Sequence, residues 1–176
     1  FMKWHDLLTD GYGRILEIME RTLDGLSVED LGWQPESGSN SIGWLCWHLT
    51  RGQDAQMAAL MEAEQLWTLK GWHQQFNRPA DPRDIGFGHT PQQVAEFESP
   101  ETKVTLDYLR ETTERSKQYF LSLSEDDLDR ELNEPQWQPL PTVGVRLISI
   151  MSDNLQHAGQ ASYVRGLLQG KGWQKF

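Results

Sequence analysis

The chain has 176 residues, 38% hydrophobic and 24% charged, an ordinary balance for a folded globular protein that excludes a disordered one. Sixteen basic against 26 acidic residues leave a formal charge of −10, a field that repels phosphate backbones. With no basic stripe to offset it, nucleic acid is excluded as a partner.

No apolar run approaches the ~20 residues of a membrane span, and no signal peptide opens the chain, so no membrane partner is expected. The lone cysteine, Cys46, rules out an internal disulfide framework. The expectation is a single cytoplasmic domain over residues 2–176, with Phe1 read as a residue left by a tag.

Helical periodicity opens over residues 4–26, where Trp4, Leu7, Leu8, Ile15, Leu16, Met19, Leu23 and Leu26 recur at three- and four-residue steps. A second helix is predicted over 41–64. Residues 66–98 then break the pattern with Gly71, Pro79, Pro82, Gly86, Gly88 and Pro91, and carry Trp67, Trp72, Phe76 and Phe87. A connection this long is usually functional or disordered, and its aromatic content favours an ordered crossover packed on the rest. Within it, residues 90–97 suit a short helix, Thr90 capping and Pro91 in the first turn. The third and fourth helices fall over 100–123 and 142–169. No stretch alternates β-branched and polar residues, so the fold class is all-α.

The chain also repeats itself. LSVEDL, then Trp33-Gln34-Pro35, then Ser41-Ile42-Gly43 follow the first helix; LSEDDL, then Trp137-Gln138-Pro139, then Thr142-Val143-Gly144 follow the third. Ser27 and Ser124 precede acidic residues as N-caps do, and Ser41 and Thr142 are candidate N-caps for the helices they open. Three matching elements in one order predict two related helical hairpins. Packed together, they make a four-helix bundle with a long crossover between its second and third helices.

The candidate chemistry lies on the second and fourth helices. His48 sits in SIGWLCWHLTRGQD, and Asp153 and His157 sit four residues apart in SDNLQHAGQASYVRG. An i, i+4 pair lies on one helix face, able to hold one ion from one side. A third ligand from a facing helix leaves coordination positions open, as in catalytic metal sites. Asp153 and His157 also interrupt a stripe of Ile150, Ala161 and Val164, where unpaired charge is costly. Trp44, Gly52, Ala55 and Ala59 lie near the direction of His48, and the small ones leave room for a ligand or a close helix.

Spacing alone also fits a plain intrahelical Asp153–His157 pair with His48 as a satisfied core histidine. If a metal binds, it needs neutral imidazoles and an ionised carboxylate, and it lowers the pKa of bound water or thiol or polarises a carbonyl.

Around these three, Trp44 and Trp47 are read as shaping an apolar pocket, although tryptophans are more often core filling. Gln160, one turn beyond His157, is a candidate outer donor to the site, or a surface amide. Arg51 and Arg165 are candidates for substrate carboxylates, although exposed arginines often do nothing specific. His5 is expected at the surface, and His73 and His89 within reach of the site from the crossover. Cys46 projects opposite His48 and reads as a buried, inert thiol. No nucleophile motif or phosphate loop is present, and no catalytic residue is assigned.

At SIGWLCWHLTRGQD, at GFGHTPQQVAEF in the crossover and at HAGQASYVRGLLQG near the end, the chain resembles the DinB-like (YfiT-like) superfamily of metal-dependent bacterial enzymes. That superfamily includes the mycothiol-dependent maleylpyruvate isomerases. The resemblance covers nearly the whole chain. It implies a four-helix bundle with a long crossover, a divalent metal on three histidines, a low-molecular-weight thiol such as mycothiol or bacillithiol, and a homodimer.

His48 matches the histidine of the second helix and His157 the last of an HxxxH pair, whose first member is here Asp153. Aspartate ligates zinc, nickel, iron or manganese, and its charge makes bound water less acidic. The expectation is a metal held by His48, Asp153 and His157 in a thiol-dependent transferase or isomerase, or a hydrolase, acting on a small-molecule substrate. The competing expectation is a non-catalytic helical interaction module, stress-related and dimeric, that has lost metal chemistry.

Overall fold

In the computed structural model, which describes residues 1–170 and 172–174, the chain runs α1 (Trp4–Leu23), α2 (Val28–Gly32), α3 (Ile42–Leu60), α4 (Leu66–Leu69), α5 (Trp72–Gln75), α6 (Pro91–Ala95), α7 (Thr102–Ser122), a 3-10 turn (Asp126–Asp129) and α8 (Val143–Gln169). No strand occurs among the described residues. Among them no helix is long and apolar enough to cross a membrane. The four long helices form a bundle, and the crossover lies between the second and third of them, as the sequence predicts.

Side-chain pairs fix the helix directions. Tyr12 donates to the Leu147 carbonyl at 2.7 Å and Thr22 meets Ser162 at 2.9 Å, so α1 and α8 run the same way. Asn154 donates to Gln53 at 2.7 Å and Arg146 to Gln56 at 3.1 Å, which sets α8 against α3. Thr102 bonds the Leu26 carbonyl at 3.1 Å and Arg110 bonds Glu20 at 2.9 Å, which sets α7 against α1. The middle helices α3 and α7 are therefore parallel. Parallel neighbours need a connection that travels back along the bundle, and this is the physical reason for the crossover's length.

One expectation is corrected here. The repeat predicts two side-by-side hairpins, but α1 packs on α7 and α8, and α3 packs on α8 and α7. Helices consecutive within each repeat thus stand diagonally.

The repeat itself is structural. Ser27 accepts from the Asp30 amide at 3.1 Å and its own amide donates to the Asp30 carboxylate at 3.0 Å. Ser124 makes the same reciprocal pair with Asp127, although it opens the 3-10 turn rather than an α-helix. Ser41 and Thr142 cap α3 and α8 by accepting from Trp44 and Val145. A Cβ at Gly43 would stand 3.0 Å from the Leu31 carbonyl oxygen, and one at Gly144 would stand 3.2 Å from that of Leu128. Leu31 and Leu128 end the two matched motifs, so each glycine permits the same close passage.

Boundaries tighten at turns. The first helix stops at Leu23 rather than Leu26, because Gly25 takes a left-handed conformation (φ 72°) and Ser27 starts α2. The second stops at Leu60, where Glu62 has φ 51°.

The crossover is ordered by two charged residues of α3. Asp54, fully buried, accepts from the amides of Leu66 and Trp67 at 2.9 Å each and from the Tyr108 hydroxyl at 2.7 Å. Arg51, also fully buried, lies 3.7 Å from Asp54 and donates to the carbonyls of Asp81, Pro82 and Asp84. Its guanidinium also sits 4.5 Å over the Trp67 ring.

Removing one partner leaves the other charge buried and unpaired, which costs about 3–5 kcal/mol. We predict that Asp54→Ala loses stability on that scale in urea denaturation; an unchanged midpoint would show that Asp54 does not anchor the crossover.

Candidate metal centre

α3 and α8 face each other across the core. On α3, Ser41 and the apolar run behind it set the rotation so that His48 points toward α8. On α8, Ile150, Ala161 and Val164 are buried, and they bring the interrupting pair Asp153 and His157 to the same seam. Ligand atoms of His48, Asp153 and His157 all lie within 4.8 Å of one another. The two imidazole rings meet edge to face at 4.6 Å and 79°, and His157 Nε2 lies 3.5 Å from an Asp153 oxygen. The three residues that spacing singled out do converge.

Both imidazoles are oriented from behind. The Nδ1–H of His48 donates to the Ile85 carbonyl, and the Nδ1–H of His157 donates to the Gln160 amide oxygen at 2.9 Å. In each ring Nε2 is left as the free lone pair, which is how metal-bound histidines are usually held. Gln160 therefore accepts here, a correction to its expected role as a donor.

Donors around one ion at ~2.1 Å stand roughly 3.4 Å apart in tetrahedral geometry. The His157–Asp153 separation of 3.5 Å already matches this, and all three ligand atoms lie within 4.8 Å of one another. Two imidazole nitrogens and one carboxylate suit a divalent first-row ion.

The Ile85 carbonyl is delivered by a loop whose closeness only glycine allows. Gly86 has φ 87°, and a Cβ there would stand 2.9 Å from His48 Nδ1, 2.9 Å from the Trp47 ring and 3.0 Å from the Trp44 ring. Behind it runs a polar chain. Trp44 Nε1–H donates to His89 Nδ1 at 3.2 Å, His89 Nε2–H donates to Asp84 at 3.0 Å, and Arg78 donates to the other Asp84 oxygen at 2.8 Å. Burial works to raise the Asp84 carboxyl, but Arg78 and His89 together hold it below the usual carboxylate value.

Both nitrogens of His89 are thus occupied, and it stands behind the site rather than at it. Trp44 stacks on His48 at 4.7 Å, and Trp47 lies flat over His89 at 5.8 Å. His89 was expected within reach of the site from the crossover, whereas Asp84, Ile85 and Gly86 were given no role there from sequence. The signal for their stretch was the glycine pair bracketing Phe87, at the start of the GFGHTPQQVAEF segment.

Other sequence candidates lie elsewhere. Arg51 and Arg165 are buried, a correction to their reading as contacts for a substrate carboxylate. Arg51 is held by the crossover carbonyls, while Arg165 donates to the Arg21 and Thr22 carbonyls at 2.7 and 2.8 Å, closing the end of α1. His73 packs edge-on to Trp67 and His5 to Trp4. Cys46 is wholly buried, and burial pushes its thiol up to about 12, so it is inert as expected.

A family model described as the DinB superfamily matches residues 13–161. The chain is also similar to a crystal structure of a conserved protein of a locus from Enterococcus faecalis. The two are 32% identical, with a TM-score of 0.89, over 97% of this chain and 100% of that one. No curated protein matches significantly.

Two predictions follow from the loop and the buried ring. Gly86→Ala forces a non-glycine residue into a left-handed conformation against His48, which costs on the order of 1–3 kcal/mol; thermal unfolding of the metal-free protein measures it. Burial, foremost, holds the His48 imidazole below its usual 6.5. As pH falls below 6.5 the unfolded chain takes up a proton that the folded site refuses, so stability present at neutral pH declines. Urea midpoints between pH 7.5 and 5.5 should fall more steeply for the metal-free wild type than for His48→Gln; equal slopes would refute it.

Proposed function

This chain belongs to the DinB superfamily, and we propose that it is a divalent-metal enzyme whose ion is held by His48, Asp153 and His157. The observation that carries this reading is the convergence of the three donors, with both Nδ1 atoms already engaged from behind. A plain ion pair on α8 accounts for Asp153 and His157, but not for an oriented, nearly buried third imidazole aimed at them from α3.

When bound, the ion supplies Lewis acidity, lowering the pKa of a bound thiol or water and polarising a carbonyl. The chain's own residues set the rest. Asp153 adds a negative charge that three histidines do not, so the centre is less electrophilic and its bound water less acidic. Trp44 closes one side of His48 with an apolar wall, which excludes water there. Asp153, with half of its side chain exposed, marks the side open to a small-molecule substrate.

The reaction proposed is transfer or isomerisation with a small thiol such as mycothiol or bacillithiol, or else hydrolysis. The superfamily resemblance and the open coordination positions support it. Zinc, nickel, iron and manganese all suit the donor set.

The test is elemental analysis and titration of the purified protein. Wild type is expected to take up about one divalent ion per chain. His48→Ala and Asp153→Ala should each lose affinity by at least tenfold while remaining folded, and uptake should weaken as acid is added, because protons compete with the ion for the ligand lone pairs. Asp153→His should restore uptake and shift the preference among zinc, nickel and manganese. If wild type binds none of the four metals, the reading fails and the non-catalytic interaction module takes its place.

A further inference from the structure

The Trp-Gln-Pro motif occurs in both halves of the chain, and its two tryptophans are placed differently. Trp33 packs against the bundle core, whereas Trp137 is 59% exposed. An uncovered indole forgoes the burial that ordinarily favours it, so folding alone does not account for Trp137. It lines a groove of about 570 Å³, within the size range of small-molecule sites. Pro139, Leu140 and Val145 extend its apolar wall, and Gln56 of α3 with Arg146 and Ser149 of α8 complete the lining.

The groove continues the seam that holds the metal centre. α3 and α8 run antiparallel, so a step from His48 toward Gln56 is matched by a step from Asp153 toward Ser149 and Arg146. Gln56 lies two turns beyond His48 and Ser149 one turn before Asp153, which sets the groove ~6–12 Å from the centre. Gly52 stands midway on α3, within ~40° of the direction of His48. It is buried, yet a Cβ built there would meet nothing within 4 Å. The space between centre and groove is therefore open at that point.

The groove also carries no free charge. Arg146 donates to Gln56 at 3.1 Å and is ion-paired with Glu134, so its guanidinium is already satisfied. A carboxylate or phosphate there would have to displace Glu134, and an ammonium group would meet no acid among the lining residues. What remains is indole, pyrrolidine and aliphatic surface. Such a surface gains most by covering an uncharged apolar group.

Building on the metal centre above, we propose that this groove holds the uncharged apolar tail of a substrate whose polar head binds the ion at His48, Asp153 and His157. Gly52 keeps the passage between head and tail open, and Trp137 walls the tail. Together they select substrates that are long enough to pass Gly52 and uncharged beyond it.

Two measurements on the full chain test this. In the first, calorimetry follows hydroxamates of increasing length on protein loaded with whichever of zinc, nickel, iron or manganese it takes up best. Octanohydroxamate is expected to bind about tenfold or more tighter than acetohydroxamate, each methylene within the groove contributing up to about fourfold. Trp137→Ala and Gly52→Leu should each remove most of that advantage, leaving metal uptake and acetohydroxamate affinity as in wild type. In the second, 1-octanol is added to the metal-free protein. It should shift the indole N–H resonance of Trp137, assigned by its loss in Trp137→Phe, and leave in place that of Trp72, which donates to Glu111.

A Trp137 resonance that ignores octanol, as when another protein chain already covers the groove, overturns the proposal. So does loaded protein that binds all chain lengths alike, or a length preference that survives both variants; metal uptake in those cases leaves the metal reading standing. An octanol response without uptake of any of the four ions overturns the metal reading instead, and with it the assignment of the groove to that ion's substrate.

Discussion

A buried carboxylate and guanidinium less than one turn apart on α3 hold the rest of the molecule in relation to one another. Asp54 takes the first amides of α4 and the hydroxyl of Tyr108, while Arg51 takes successive carbonyls of the segment leading to Ile85. A crossover of this length has a large entropy to lose. Two charges that cannot be left unpaired in the core give it one well-defined path. That path ends with a carbonyl beside His48, so the orientation of an imidazole depends on an ion pair one to two turns away.

The centre that results is asymmetric. His48 is nearly buried, backed by a crossover carbonyl and covered by Trp44. His157 is backed by Gln160 on its own helix, and Asp153 is half in solvent. Rigidity is therefore concentrated on the α3 side and adaptability on the α8 side. Such a division suits an ion that must hold its place while exchanging what it binds on the open side. The His89–Asp84–Arg78 chain extends the rigid side outward, since each member has a fixed partner and the indole of Trp44 is hydrogen-bonded as well as packed.

The internal repeat explains why the seam lies between α3 and α8. Each half delivers its second long helix through the same serine-capped turn and the same glycine passage under a leucine carbonyl, so the two helices occupy equivalent positions. Equivalence ends at the connections. The first half is followed by the crossover, which supplies the aromatic wall, whereas α8 keeps an uncovered face.

The helices, their caps, the ordered crossover and the three convergent donors were legible in the sequence. Each follows from local chemistry: three- and four-residue apolar spacing, serine or threonine before a helix, and polar residues interrupting an apolar stripe. Only the tertiary structure decided the diagonal placement of successive helices, because apolar periodicity says which face is buried but not which helix covers it. It also decided that Arg51 and Arg165 are internal, since an arginine's partners here are backbone carbonyls distant in sequence. The backing of His48 by Ile85 was invisible for the same reason. A main-chain oxygen has no residue identity, and its sole trace in the sequence was the glycine that lets it come so close.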